Sequence, residues 1–195
     1  KEAIQFEQNI MKEPVGSQDP IPISKGGFLN IKFSKENIVP KNIYDQNKDY
    51  INHLIDNMIL VYSGQRRLSH KITIDKIKKM NSNESVIKEM VNLTKEANNL
   101  IKKQANISKI SLLMKTNWEL KKKLSDKISN KLIDRIFEKA YKDGAMSGKI
   151  LGAGGGGFIL FIVPKKNQKK FMNNNLFKSI KIKIDNIGVR HFSDE

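Results

Sequence analysis

Four successive glycines, the end of Gly152-Ala-Gly-Gly-Gly-Gly157, stand immediately before the unbroken apolar run Phe158-Ile-Leu-Phe-Ile-Val163. Each glycine costs backbone entropy on ordering, so a run of them needs a physical cause. Glycines allow positive φ, let another backbone or a phosphate approach closely, and can turn several N–H groups toward one anion. A tight turn into a strand needs one or two of them, and the surplus points to a functional loop. Leu132, Ile133, Ile136, Phe137 and Ala140 form one helical stripe upstream, closed by Gly144 near the C-cap. The sequence therefore predicts helix, loop, strand. Gly152, Gly154 and Gly157 satisfy G-x-G-x-x-G, but a dinucleotide fingerprint needs a strand before the loop and a helix after it, which excludes that reading. Gly144 to Lys149 is one residue short of P-loop spacing, and Ile150 stands where a Ser or Thr would hold Mg²⁺.

The rest of the chain frames this loop. Ile4, Gln8 and Met11, with Phe6 and Ile10 beside them, predict the end of an amphipathic helix over residues 1–12, stopped by Pro14 and Gly16. A turn-rich stretch to Pro20 follows. Leu29, Ile31 and Phe33 alternate with Asn30 and Lys32 as in a half-buried strand opened by Gly26-Gly27. Residues 34–52 are polar and aperiodic and make the best candidate boundary. Met58 to Ser63 reads as a central strand ended by Gly64. Helical stripes follow at Ile87, Met90, Val91, Thr94, Ala97 and Ile101, and at Ile107, Ile110, Met114 and Trp118. Ile180, Ile182 and Ile184 alternate with Lys in a last strand. Strands separated by a helical block predict an α+β fold with helices on one face of a mostly antiparallel sheet.

Composition narrows the function classes. No cysteine is present, so disulfides, thiolate zinc sites and cysteine nucleophiles are excluded. No apolar run approaches the length of a membrane span, and the first ten residues do not have the form of a signal peptide. The formal net charge is +16, yet all but four of the 36 basic residues are Lys. Base-reading surfaces favour the bidentate arginine fork. A Lys excess that arrives with many Asn and Ile reads as compositional background, so a nucleic-acid partner is not expected. Two of the four arginines, Arg66 and Arg67, follow Gly64 at the end of a predicted buried strand. There they could bind the phosphate of a substrate.

Lys149-Ile-Leu-Gly-Ala-Gly-Gly-Gly-Gly-Phe158 resembles the C-terminal glycine motif of the GHMP small-molecule kinases. Glu13-Pro-Val-Gly-Ser-Gln-Asp-Pro20 with Gly26-Gly27-Phe28, Val61-Tyr-Ser-Gly64 with Arg66, Asn117 to Lys122, and Ile128-Ser-Asn130 are similar to the heptose-phosphate kinase branch of that family. The resemblance implies a ferredoxin-like C-terminal domain over residues 56–195. Residues 1–55 would be the tail of a ribosomal-protein-like N-terminal domain. It implies an ATP- and Mg²⁺-dependent cytoplasmic sugar kinase, acting on the anomeric hydroxyl of D-glycero-D-manno-heptose 7-phosphate or on another sugar or metabolite. Family members also carry a Pro-x-Gly-Leu-Gly-Ser-Ser-Ala loop around the ATP phosphates, and no such segment occurs here. The chain is therefore expected to be the C-terminal portion of a kinase, inactive without its N-terminal half.

The same resemblance implies roles. Asp19 matches the family's catalytic aspartate, with Gly16, Ser17 and Gln18 as substrate-side neighbours in its turn. Glu7 stands about where relatives place a Mg²⁺-holding carboxylate, with Glu13 as a competitor. Gly154, Gly155, Gly156 and Gly157 would shape the phosphate side of the site. Lys149 is expected to be solvated, and Trp118 to pack in the core rather than stack on substrate. His53, His70 and His191 are scattered and suggest no metal cluster. From a different class, a basic α+β RNA-binding module is the alternative; it would have no use for a lone carboxylate in the turn.

Overall fold

The computed structural model describes residues 2–12, 16–34, 36–65, 69–173 and 176–190. Packing divides the chain into two units: one of residues up to Ile51 together with the tail from Lys183, the other Asn52–Ile182. The sequence-based boundary at 55/56 lies in the same helix as this division, but it kept the tail with the second unit. The tail groups with the first because Asp185 O accepts from Gly27 N at 2.6 Å and the Gly26 and Gly188 backbones meet. A Cβ on Gly26, whose φ is +64°, would lie 2.6 Å from Gly188 N.

In the first unit, α1 (Glu2–Gln5) runs directly into a π-helical turn, Phe6–Ile10. Helix α2 (Pro20–Lys25) starts on Pro20, whose fixed φ and missing N–H suit a first helical turn. β1 (Leu29–Phe33) pairs antiparallel with β2 (Ile38–Asn42), with Ile31 opposite Pro40. A two-stranded sheet leaves both strands a free edge, which is where a proline without an N–H can be placed. That device hides β2 from a sequence reading that takes Pro40 as loop. Helix α3 (Lys48–Asp56) begins inside the stretch predicted to be aperiodic and runs past its end.

The second unit is an antiparallel sheet with its helices in two crossovers. β3 (Met58–Tyr62) leads into α4 (Ser69–Lys78), α5 (Glu84–Lys102), α6 (Ile107–Lys123) and α7 (Lys131–Lys142). β4 (Ser147–Ile150), β5 (Phe158–Ile162), α8 (Lys165–Met172) and β6 (Lys178–Lys181) complete it. The strand order is β4-β5-β3-β6 with every neighbouring pair antiparallel. This is a β-α-β-β-α-β ferredoxin-like arrangement whose first crossover is enlarged to four helices. The α+β expectation holds.

One strand corrects the sequence reading. β4 stands directly before the glycine loop, so the loop joins two antiparallel strands and not a helix to a strand. The dinucleotide reading stays excluded, because β5 and not a helix follows. β4 escaped detection because Gly148 and Lys149 interrupt its apolar pattern. A Cβ on Gly148 would meet the Phe161 ring at 2.4 Å.

One sheet face carries the core. Ile59, Val61, Ile150, Ile159 and Phe161 are fully buried there, against Ile133, Ile136, Phe137 and Ala140 of α7. The spacing of those α7 residues puts them on one helical stripe. Aromatic rings run through it in series. Trp118 stacks on Phe137 with centroids 4.9 Å apart, Phe137 meets Phe161 at 5.1 Å, and Phe161 meets Phe171 at 5.7 Å. Trp118 is thus a core residue, as expected. The last strand ends sooner than predicted, at Lys181, and Ile180 is exposed opposite Leu60. Phe161→Ala should cost about 3–5 kcal/mol of stability in urea unfolding, whereas Leu112→Ala, at an exposed site, should stay within about 0.5 kcal/mol.

Candidate functional site

Residues 151–157 connect β4 to β5, and the loop is closed at its base by Leu151 N donating to Phe158 O at 2.8 Å. All five glycines in it have positive φ, from +64° at Gly152 to +158° at Gly156. Two other segments hold it. Gly155 N donates to Ile128 O at 2.9 Å, and Gly157 N donates to Gln65 O at 3.0 Å. Gly157 O in turn accepts from Ser63 N at 2.9 Å, just past the end of β3. A side chain at Gly154, Gly155 or Gly156 would crowd these neighbours. A Cβ on Gly155 would lie 2.4 Å from Ile72 Cδ1, and one on Gly154 would lie 3.0 Å from Ile128 Cα. Close packing is thus one physical cause for glycines at Gly154, Gly155 and Gly156.

The N–H groups alternate in use. Those of Gly155 and Gly157 turn inward to carbonyls, while among the described residues no acceptor meets the N–H of Ala153, Gly154 or Gly156. Successive N–H groups of this kind form an anion-binding concavity when they converge.

Asn130 joins the three segments. Its Oδ1 accepts from Leu132 N and Ile133 N, both at 3.0 Å, capping α7. Its Nδ2 donates to Gln65 Oε1 at 3.1 Å and to Gly155 O at 3.3 Å. In the sequence, Ile128-Ser-Asn130 carries the family resemblance, but no local pattern assigns Asn130 or Gln65 a role. The available signal was an Asn directly before a helix stripe, which reveals the cap and not the bonds to the loop.

Charge is arranged around the loop. Lys121 is buried, and its Nζ donates to Ile150 O at 2.9 Å and to Gly152 O at 2.7 Å. Lys149 is not the solvated lysine expected. It is half-buried, its Nζ donates to Asn117 Oδ1 at 2.9 Å, and burial holds its ammonium below the ordinary lysine range. Asp75 of α4 accepts from Ser125 Oγ, and that bond, helped by Lys127 and Lys79, holds its carboxyl below the usual carboxylate range.

The other sequence-predicted residues belong to the first unit or lie outside the described residues. Glu7 is half-buried on the π-helical turn, and Gln8 Nε2 donates to Ser17 Oγ at 3.5 Å, tying that turn to the Gly16–Asp19 segment. Gln18 and Asp19 are exposed, and Asp19 directly precedes α2 without a side-chain capping bond. Arg66, Arg67, Glu13 and His191 fall outside the described residues. Among the described residues no group of three or more His, Cys, Asp or Glu could hold a metal ion, and no helix is long and apolar enough to cross a membrane.

A family model describing the GHMP kinases C terminal matches residues 87–179. That span matches the C-terminal domain of the GHMP kinases. It runs from α5 into β6 and holds Lys121, Asn130, Lys149 and the whole glycine loop. Three solved structures share its fold. A D-glycero-D-manno-heptose 1-phosphate kinase from Bacteriodes thetaiotaomicron has a TM-score of 0.68 at 19% identity, over 98% of this chain and 54% of its own. Lactococcus lactis galactokinase complexed with galactose has a TM-score of 0.64 at 15% identity, over 94% and 57%. L. major mevalonate kinase in complex with R-mevalonate has 0.59 at 16%, over 76% and 44%. The chain thus spans about half the length of the kinases whose fold it shares. Among curated proteins none matches it.

Two outcomes test the site's construction. Gly155→Ala should cost about 1–3 kcal/mol in urea unfolding, while Gly16→Ala, which meets nothing within 4 Å, should be close to neutral. Asp75 contributes stability above its unfolded pKa, near 3.9, and that contribution is lost as pH falls through its lower folded value. Asp75→Asn should therefore flatten the loss of stability below about pH 4, read from unfolding curves recorded across that range.

Proposed function

We propose that this chain supplies the C-terminal portion of an ATP-dependent kinase for a sugar or similar metabolite. The GHMP kinase domain and the kinase neighbours support a phosphotransferase. The observation that carries the reading is the loop itself: glycines bonded to Ile128 and Gln65, with the N–H groups of Ala153, Gly154 and Gly156 meeting no acceptor among the described residues. Such an arrangement stabilises phosphate oxygens by fixed dipoles that need not reorganise during transfer.

In this mechanism the acceptor hydroxyl attacks the γ-phosphorus, its O–P bond forms as the bond to the β-phosphate oxygen breaks, and ADP leaves. Asp19 takes the hydroxyl proton or orients that hydroxyl. Gly16, Ser17 and Gln18 line the acceptor side, and Arg66 and Arg67 hold the phosphate the acceptor already carries. Glu7 would hold Mg²⁺. A single half-buried carboxylate suits an ion that draws its other ligands from water and nucleotide phosphates. When bound, the ion neutralises charge on those phosphates.

For the acceptor, we favour D-glycero-D-manno-heptose 7-phosphate, phosphorylated at its anomeric hydroxyl. The support is the likeness of Asn117–Lys122 and Ile128–Asn130 to that branch, together with a fold match over nearly the whole chain. The kinase would be cytoplasmic, and the 195-residue chain alone should show negligible transfer. Asp19→Asn in the intact enzyme should lower turnover at least about a thousandfold while leaving the unfolding curve unchanged. Turnover within about tenfold of the parent would refute the role of Asp19. Activity with galactose or mevalonate and none with the heptose phosphate would replace the acceptor.

A further inference from the structure

We propose that Lys121 is the positioning residue of the glycine loop, fixing from α6 the direction in which the loop's first N–H groups point. The loop-geometry half of this proposal stands on the bonds alone; its consequence for ATP rests on the kinase reading above.

Helix α6 and strand β4 are joined by polar bonds in ascending order along both elements. Ser111 Oγ donates to Ser147 Oγ at 2.8 Å, and Lys149 Nζ donates to Asn117 Oδ1 at 2.9 Å. Lys121 then reaches Ile150 O and Gly152 O at 2.9 and 2.7 Å. From Ser111 to Lys121 a helix rises about 15 Å, and from Ser147 to Gly152 an extended chain advances about 17 Å. Helix and strand therefore run side by side in the same direction, and the last pair of bonds falls where the strand becomes the loop.

That last pair differs in kind from the others. The serine and asparagine bonds join side chain to side chain, whereas Lys121 grips main-chain carbonyls on both sides of Leu151. Sealing the β4 edge would need only an apolar side chain. A buried ammonium carries a large desolvation cost that its bonds must offset, and its place in the last turn of α6 suits a cation. In a trans peptide the carbonyl and the following N–H point in opposite directions. Holding Gly152 O on α6 thus turns the Ala153 N–H away from α6, at the start of the group left without acceptors. Leu151 N is already fixed on Phe158 O at 2.8 Å, so Lys121 removes the freedom that remains between β4 and Ala153.

Amide hydrogen exchange on the 195-residue chain tests this directly. Lys121→Met should speed exchange of the bonded Gly155 and Gly157 amides at least tenfold while β5 and α7 stay within twofold, and Lys121→Arg should restore most of the protection. Lys122→Met removes the neighbouring charge, which pairs with Glu119 at 2.9 Å, and should leave the loop unchanged. Exchange in the loop that is unaltered by Lys121→Met, or altered equally by Lys122→Met, overturns the proposal. If Lys121→Met does not fold, scalar couplings across the hydrogen bonds from Lys121 Nζ to the Ile150 and Gly152 carbonyl carbons in the parent chain decide it: present at Gly152 they support it, absent they overturn it. In the intact kinase, Lys121→Met should raise KM for ATP at least tenfold and leave KM for the acceptor within twofold, with Lys121→Arg intermediate. An ATP KM that stays put while loop exchange rises overturns the catalytic consequence. Absence of any ATP-dependent transfer by the parent enzyme counts against the kinase reading, and the exchange result still stands.

Discussion

The second unit is organised by one constraint: a loop of positive-φ glycines passes so close to Ile128, Ile72 and Gln65 that a side chain at Gly154, Gly155 or Gly156 would crowd its neighbours. Each partner belongs to a different segment. Ile72 fixes α4, Ile128 and Asn130 fix the entry to α7, and Gln65 with Ser63 fixes the chain leaving β3. The sheet alone could be built with an ordinary hairpin between β4 and β5. Convergence of these segments on one loop gives the enlarged crossover its relation to the sheet's loop end. Asn130 carries the most connections, because a single amide caps a helix and bonds both to the loop and to Gln65.

The lysines divide by position. The excess of lysine is largely a property of the solvent-facing helices, where pairs such as Lys88 with Glu84 contribute little. Lys121 and Lys149 are different because their ammonium groups are spent on Ile150 O, Gly152 O and Asn117 inside the fold. Position distinguishes them from the other lysines, and net charge does not.

Elements that bury a clear stripe were legible in the sequence. β3 and β5 are apolar runs, α7 repeats its apolar residues at helical spacing, and β1 alternates. Elements stabilised mainly by their neighbours were not. β2 contains Pro40, β4 contains Gly148 under the Phe161 ring, and α8 offers Phe171 as its one fully buried side chain in a lysine-rich segment. The glycine loop is marked as a candidate site by its residues, but its bonding is not. Whether a glycine N–H faces a carbonyl or stands open depends on Ile128 and Gln65, which lie far away in sequence. Asn130, Gln65 and Lys121 were missed as site residues for the same reason: each acts on main-chain atoms of a distant segment, and no local pattern marks such a partner.

The alternation of N–H groups in the loop is what the functional account depends on most, and the glycine amide resonances report it. In an ¹⁵N-labelled intact kinase titrated with ATP and Mg²⁺, the Gly154 and Gly156 amides should move downfield together. Those of Gly155 and Gly157, already bonded to Ile128 O and Gln65 O, should stay in place. Saturating nucleotide that leaves Gly154 and Gly156 unmoved, or that shifts Gly155 and Gly157 instead, would contradict the account.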